Sequence, residues 1–226
     1  MRKNVLTIKL ICFDFDGTIA DTMPWLEENA VRLFNEVYKT DKGKARHDYR
    51  MTTGLPFSQQ VELIYPNGNQ NKFIIETFEH EKITRIDEQQ LFPETKEVIK
   101  NLSQNYLIAV SSSTTKEIID DYIKKKGIKN YLNDVVGFRP GFEKGKHHFD
   151  YLMEKFSLTP AELIYIGDSK KDMERAYNSN IKFIARLGPM FAKSDFSINN
   201  NGTVVQFPCI TSLKDVEAIL NSIEDN

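Results

Sequence analysis

From residue 104 onward, short apolar runs alternate with stretches of helical periodicity. Tyr106-Leu107-Ile108-Ala109-Val110 predicts a buried strand that ends in Ser111-Ser112-Ser113. A helix pattern follows from Thr115 to Lys126 and stops at Gly127, a residue suited to a left-handed helix end. Asp134-Val135-Val136-Gly137 predicts a short strand, and His147 to Phe156 a helix. Leu163-Ile164-Tyr165-Ile166 then predicts a strand ending in Gly167-Asp168, Lys171 to Asn178 a helix, and Ile181 to Ala185 a further strand. At the other end of the chain, the apolar run from Ile8 to Phe13, broken only by Lys9, leads straight into Asp14. Strands that are apolar throughout are covered on both faces, and their alternation with helices predicts βαβ units. The predicted class is α/β, a doubly wound parallel sheet.

Residues 20–89 follow a different pattern. Trp25, Leu26, Ala30, Val31, Leu33, Phe34, Val37 and Tyr38 recur at helical spacing, and further helical material follows Phe57 and Asn71. No convincing strand interrupts them. This predicts a helical domain over 20–89, inserted into a core made of 1–19 and 90–226. The aromatic residues of the insertion read as helix core, and Asp21, ahead of Thr22 and Pro24, as the N-cap of its first helix. Asn199-Asn200-Asn201-Gly202 reads as a polar turn. No repeat or low-complexity tract is present.

Composition narrows the partners. The 226 residues are 40% hydrophobic and 27% charged with a formal net charge of -2, an ordinary balance for a soluble globular chain. No basic footprint points to nucleic acid or an anionic membrane, and Lys124-Lys125-Lys126 sits at a predicted helix end that favours cations. Cys12 and Cys209 lie in apolar surroundings without metal-ligand spacing, which fits a reducing compartment. Met1-Arg2-Lys3 is basic, but the stretch after it makes a poor signal peptide, and no run of about 18 apolar residues exists. The expectation is a cytoplasmic protein without membrane or nucleic-acid partners.

The chemistry gathers at the strand ends. Asp14 and Asp16 lie two apart, on one side of an extended chain with Phe15 on the other. A folded protein seldom keeps two such like charges together without a cation. In an open parallel sheet, ligands sit outside the carboxyl ends of the strands, where Asp14, Asp16, Ser111 to Ser113 and Asp168 would converge. Carboxylates with no cysteine or histidine between them form a hard-oxygen site suited to Mg²⁺ rather than zinc. A hydroxyl between a strand and a helix N-terminus suits phosphate oxygens. Lys144 and Lys146, just ahead of the helix preceding Asp168, offer a balancing cation. Adjacent helical residues diverge by about 100°, so His147 and His148 do not share a site and read as helix start and surface.

In order and spacing these features resemble the haloacid dehalogenase superfamily, and nearly the whole chain takes part. Asp14-Phe15-Asp16-Gly17-Thr18 matches the first motif and the serine-ended strand the second, with Ser112 aligned to the phosphate-binding hydroxyl and Ser111 the alternative. Lys144 matches the third, with Gly145 where many relatives carry proline and Lys146 as the competing lysine. Gly167-Asp168-Ser169-Lys170-Lys171-Asp172 matches the fourth. The helical insertion resembles the C1 cap of phosphoglycolate phosphatase-like members. The resemblance implies a Rossmann-like core and a Mg²⁺-dependent phosphatase of a small phosphorylated metabolite, acting through an aspartyl-phosphate. It assigns Asp14 as nucleophile and Asp16 as acid and base. Asp14, the Asp16 carbonyl oxygen and Asp168 hold the metal, and Ser112, Lys144 and Thr18 hold the phosphate. Asp172, Ser113 and Lys146 are secondary. A sugar phosphomutase of the β-phosphoglucomutase type shares these motifs, but such enzymes tend to carry a histidine at the cap entrance, where this chain reads Asp21-Thr22-Met23-Pro24-Trp25-Leu26. A phosphate-binding or signalling protein on the same fold is the alternative of another class.

Overall fold

The computed structural model describes residues 8–224, and the basic start Met1-Arg2-Lys3 lies outside them. The chain divides into two compact units, one running from the N-terminus to Ala20 and resuming at Leu91, the other comprising Asp21–Gln90.

The first unit is built on a parallel sheet. Its strands are β1 (Leu10–Phe13), β2 (Leu107–Ser111), β3 (Asp134–Val136), β4 (Leu163–Gly167), β5 (Lys182–Arg186) and β8 (Cys209–Ile210), in the spatial order β3-β2-β1-β4-β5-β8. The chain moves outward from β1 to β3 and then returns to the other side of β1, the topology that opens a crevice at strand carboxyl ends. Register fixes what faces that crevice. Phe13 pairs with Val110 on one side and with Ile166 on the other, so Asp14 emerges level with Ser111 and Gly167. Helices α5 (Thr95–Leu102), α6 (Lys116–Lys125), α7 (Lys146–Phe156), α8 (Lys170–Asn178) and α9 (Val216–Glu224) accompany the sheet. At the end of α6, Gly127 takes φ 69° and Ile128 N–H closes back on Ile123 O at 3.0 Å, the helix end the sequence predicts. Leu10, Cys12, Phe149, Tyr165, Phe183 and Phe196 share one buried cluster.

Two features go beyond the sequence reading. The polar turn is the loop of a hairpin, β6 (Ser197–Asn200) with β7 (Thr203–Gln206), in which Asn201 and Gly202 take φ 50° and 87°. Paired positive φ values match the right-handed twist of the strands they join. Second, β8 adds a further parallel strand that the pattern of residues does not announce, because two residues carry no periodicity.

The second unit is helical: α1 (Met23–Tyr38), α2 (Lys42–Thr52), α3 (Phe57–Ile64) and α4 (Asn71–Arg85). Phe34, Phe57 and Phe78 form its core, with ring centroids 5.9 Å apart for Phe34 and Phe57 and 3.6 Å for Phe57 and Phe78, whereas Phe73 is exposed and Trp25 half-buried. The buried Glu27 carboxylate takes Arg46 and Arg50 on its two oxygens at 2.7 Å each. Asp21 does not cap α1, contrary to expectation. Its N–H donates to Gln90 O at 2.8 Å, and the cap position falls to Thr22, whose side chain makes no capping hydrogen bond. Among the described residues no helix is long and apolar enough to cross a membrane.

Candidate active site

Asp14 leaves the end of β1 with its N–H donating to Ile166 O at 2.8 Å. Its Oδ1 accepts from Phe15 N–H at 2.7 Å and from Lys144 Nζ at 2.8 Å. Phe15 points the opposite way and packs edge-on against Tyr122 of α6, ring centroids 5.1 Å apart. The chain then turns on Gly17, whose φ is 74° and whose N–H donates to Ala20 O at 2.9 Å. That turn leaves the half-buried Asp16 with its Oδ2 accepting from Thr114 Oγ1 at 2.9 Å. Thr18 is fully buried, and its hydroxyl has no hydrogen-bond partner among the described residues.

At the end of β4, Asp168 and Asp172 complete a cluster. Asp14, Asp168 and Asp172 are all buried, with one carboxylate oxygen of each within 4.8 Å of the others. Lys144 Nζ bridges Asp14 Oδ1 at 2.8 Å and Asp172 Oδ1 at 2.7 Å, with its side chain 3% exposed. Asp172 also accepts from Ser169 Oγ at 2.7 Å and from the Tyr165 hydroxyl at 3.2 Å. Two glycines make room. A Cβ on Gly167 would fall 2.8 Å from Asp172 Cβ, and Gly145 takes φ 107° with Arg175 Cγ and Cδ 3.0 Å from where its Cβ would lie. Proline cannot adopt that φ, so this position takes glycine and not proline in this backbone.

Three buried carboxyl groups around one ammonium leave negative charge in excess. Burial pushes Asp14 up to about 7 against the pull of Lys144, and burial together with Asp14 and Asp172 holds Asp168 well above the usual carboxylate range. For Asp172 the balance reverses: burial would raise it, but Lys144 and Arg175 outweigh burial and hold it low. Likewise burial opposes the Lys144 ammonium, yet Asp14 and Asp172 keep it charged. All-oxygen donors with excess negative charge fit a small divalent cation.

The two serines separate by strand alternation. Ser112, buried, has its N–H on Val136 O at 3.0 Å, and its Oγ accepts from Thr114 N–H at 3.0 Å. Ser111 turns the other way, its Oγ 2.9 Å from His148 Nδ1, and Ser113 is half-buried. The competing lysines separate too, since Lys146 is exposed and pairs with Asp150 on its own helix. His148 is not a surface residue. It has no exposed surface, because helical periodicity puts it on the face that also buries Phe149 and Leu152, while His147 one position earlier faces out. Tyr165, Thr114 and Arg175 also contact the site, with no mark in the sequence. Tyr165 is hidden within an apolar run, and the other two carry no spacing signal.

Residues 11–186 match the family model for haloacid dehalogenase-like hydrolases. The chain belongs to that family. Among curated members it is 28% identical over 185 residues to a phosphoglycolate phosphatase of Vibrio vulnificus, covering 76% of this chain and 80% of the relative. It is 25% identical over 221 residues to a phosphoglycolate phosphatase of Pasteurella multocida, covering 84% and 95%. The fold is that of solved family members. A haloacid dehalogenase-like hydrolase from Streptococcus pneumoniae superposes with a TM-score of 0.77 at 22% identity, over 94% of this chain and 98% of that one. A predicted phosphoglycolate phosphatase from Haemophilus somnus gives 0.70 at 20% identity, over 94% and 97%.

Proposed function

We propose that this hydrolase is a phosphoric monoester hydrolase that transfers the phosphoryl group of a small phosphorylated metabolite to Asp14 and then to water. The observation that carries the reading is the Lys144 ammonium buried between Asp14 and Asp172, with Asp168 in the same cluster. A structural ion pair needs one carboxylate, whereas a phosphoryl-transfer site needs a carboxylate nucleophile, a cation for the phosphate oxygens and acids for a metal. Asp14, the Asp16 main-chain carbonyl and Asp168 would hold Mg²⁺. When bound, the ion offsets the repulsion between the carboxylate nucleophile and the phosphate dianion.

In the first step an Asp14 oxygen attacks phosphorus as the bond to the leaving alcohol breaks, and Asp16 gives its proton to the leaving oxygen. In the second, Asp16 takes a proton from water, which attacks the aspartyl-phosphate and releases inorganic phosphate. The Asp16–Thr114 hydrogen bond supports a fixed position for that proton carrier. Ser112, Thr18 and Lys144 hold the equatorial oxygens, and Asp172 orients Lys144.

Hydrolysis of p-nitrophenyl phosphate with Mg²⁺ tests the mechanism. Asp14→Asn is expected to abolish turnover, and turnover that survives the substitution overturns the role of Asp14. Phosphoglycolate, named by curated relatives, is the first compound to try in a panel of phosphomonoesters.

A further inference from the structure

A buried hydrogen-bonded pair lies behind the phosphate site. Ser111 Oγ and His148 Nδ1 are 2.9 Å apart, and neither residue has exposed surface. Ser111 closes β2 and precedes Ser112, while His148 lies in the first turn of α7, just after Lys144. One hydrogen bond therefore joins the two segments that carry the proposed phosphate ligands. The Phe142 ring packs against the imidazole, centroids 4.8 Å apart. Burial keeps that imidazole neutral, its pKa lowered to about 3, and its tautomer sets whether Nδ1 accepts the Ser111 hydroxyl proton or donates to the Ser111 oxygen; Nε2 has no hydrogen-bond partner among the described residues.

We infer that the Ser111–His148 pair is a strut that sets the spacing between Ser112 and Lys144, which makes His148 a positioning residue for the phosphate group. The inference rests on the reading that Ser112 and Lys144 hold phosphate. Sheet register already fixes Ser112, whose N–H is on Val136 O. The Lys144 loop is different: Gly141 and Gly145 take φ 75° and 107°, and glycine restrains its neighbours weakly. Asp14 and Asp172 hold the Lys144 ammonium, and docking the start of α7 onto the end of β2 adds a restraint on the loop backbone that carries it. Errors of a fraction of an ångström between groups that grip one anion are costly to binding and rate.

The test measures affinity for inorganic phosphate by calorimetry in the presence of Mg²⁺, with kcat and KM for p-nitrophenyl phosphate, on proteins matched for circular dichroism. Ser111→Ala and His148→Phe are each expected to weaken phosphate binding and raise KM about tenfold. The double variant should be no weaker than either single one. His148→Asn, whose side-chain amide can either donate or accept in place of Nδ1, should recover most of the loss. Wild-type phosphate affinity in Ser111→Ala, or losses that add in the double variant, overturns the strut. If His148→Phe does not fold, Ser111→Ala decides alone. Ser112→Ala and Lys144→Met are the controls for the underlying reading. Unchanged affinity in both overturns that reading and the strut with it, whereas weak binding in the controls beside wild-type binding in Ser111→Ala overturns only the strut.

Discussion

Single atoms decide much of this site, and glycine shows it best. Gly167 is needed because Asp172 lies where its Cβ would go, at 2.8 Å. Gly167→Ala should displace Asp172, loosen Lys144 and lower kcat for p-nitrophenyl phosphate at least about tenfold, since small misplacements are costly. Gly145→Ala meets both a strained φ of 107° and the Arg175 stem, and should cost about 1–2 kcal/mol in urea denaturation. Gly188, with open space around its Cβ position, is the control, and Gly188→Ala should change stability by less than about 0.5 kcal/mol. An unchanged kcat in Gly167→Ala, or a stability loss in Gly188→Ala equal to that in Gly145→Ala, would refute the steric account. The sequence marks Gly167 through its motif, but nothing local shows that the neighbour it accommodates is the aspartate five residues on.

At the level of elements, the segment that returns from the helical unit is tied into the first unit by charge. Arg186 at the end of β5 stacks its guanidinium 3.6 Å from the Phe92 ring centroid and donates to Glu94 at 3.2 Å. Glu94 also accepts from Ser212 Oγ and Leu213 N–H, both at 3.2 Å. Glu94→Ala removes this carboxylate from the buried Arg186, and breaking a buried pair from one side costs up to about 3–5 kcal/mol. Urea denaturation should show a loss approaching that range, and a change under about 1 kcal/mol would mean that solvent replaces Glu94. The order of strands and helices was legible in the sequence because periodicity is local. This tie was not, because residues from β5, the return segment and the stretch before α9 meet only across the folded chain.

For the whole molecule the excess negative charge makes stability depend on pH and on cations. Asp14 is held at about 7 in the folded protein against an ordinary 3.8. Between those values the folded protein keeps a proton that the unfolded chain has released, so the cation-free protein loses stability as pH rises through that window. A bound divalent cation takes the proton's place. The rise in Tm on adding Mg²⁺ should therefore be larger at about pH 8 than at about pH 5. Hydrogen exchange should slow at the carboxyl ends of β1 and β4 rather than in α1–α4. A Tm shift equal at both pH values, or protection confined to the helical unit, would contradict the placement of the cation among these carboxylates.

The sequence by itself determined the α/β class, the helical insertion and the strand ends that carry Asp14, Ser112 and Asp168. Strand and helix periods are one-dimensional, and in a parallel sheet every strand end faces the same edge. Tertiary structure decided the choices between neighbours. Lys144 rather than Lys146 enters the carboxylate cluster because Gly145 turns the chain before α7 begins. Ser111 is drawn to His148, and His148 is buried, because of the way α7 packs on the sheet. Asp172 became the partner of Lys144 because α8 folds back over Gly167. Such pairings are set by the rotation and docking of whole elements, and no local spacing encodes them.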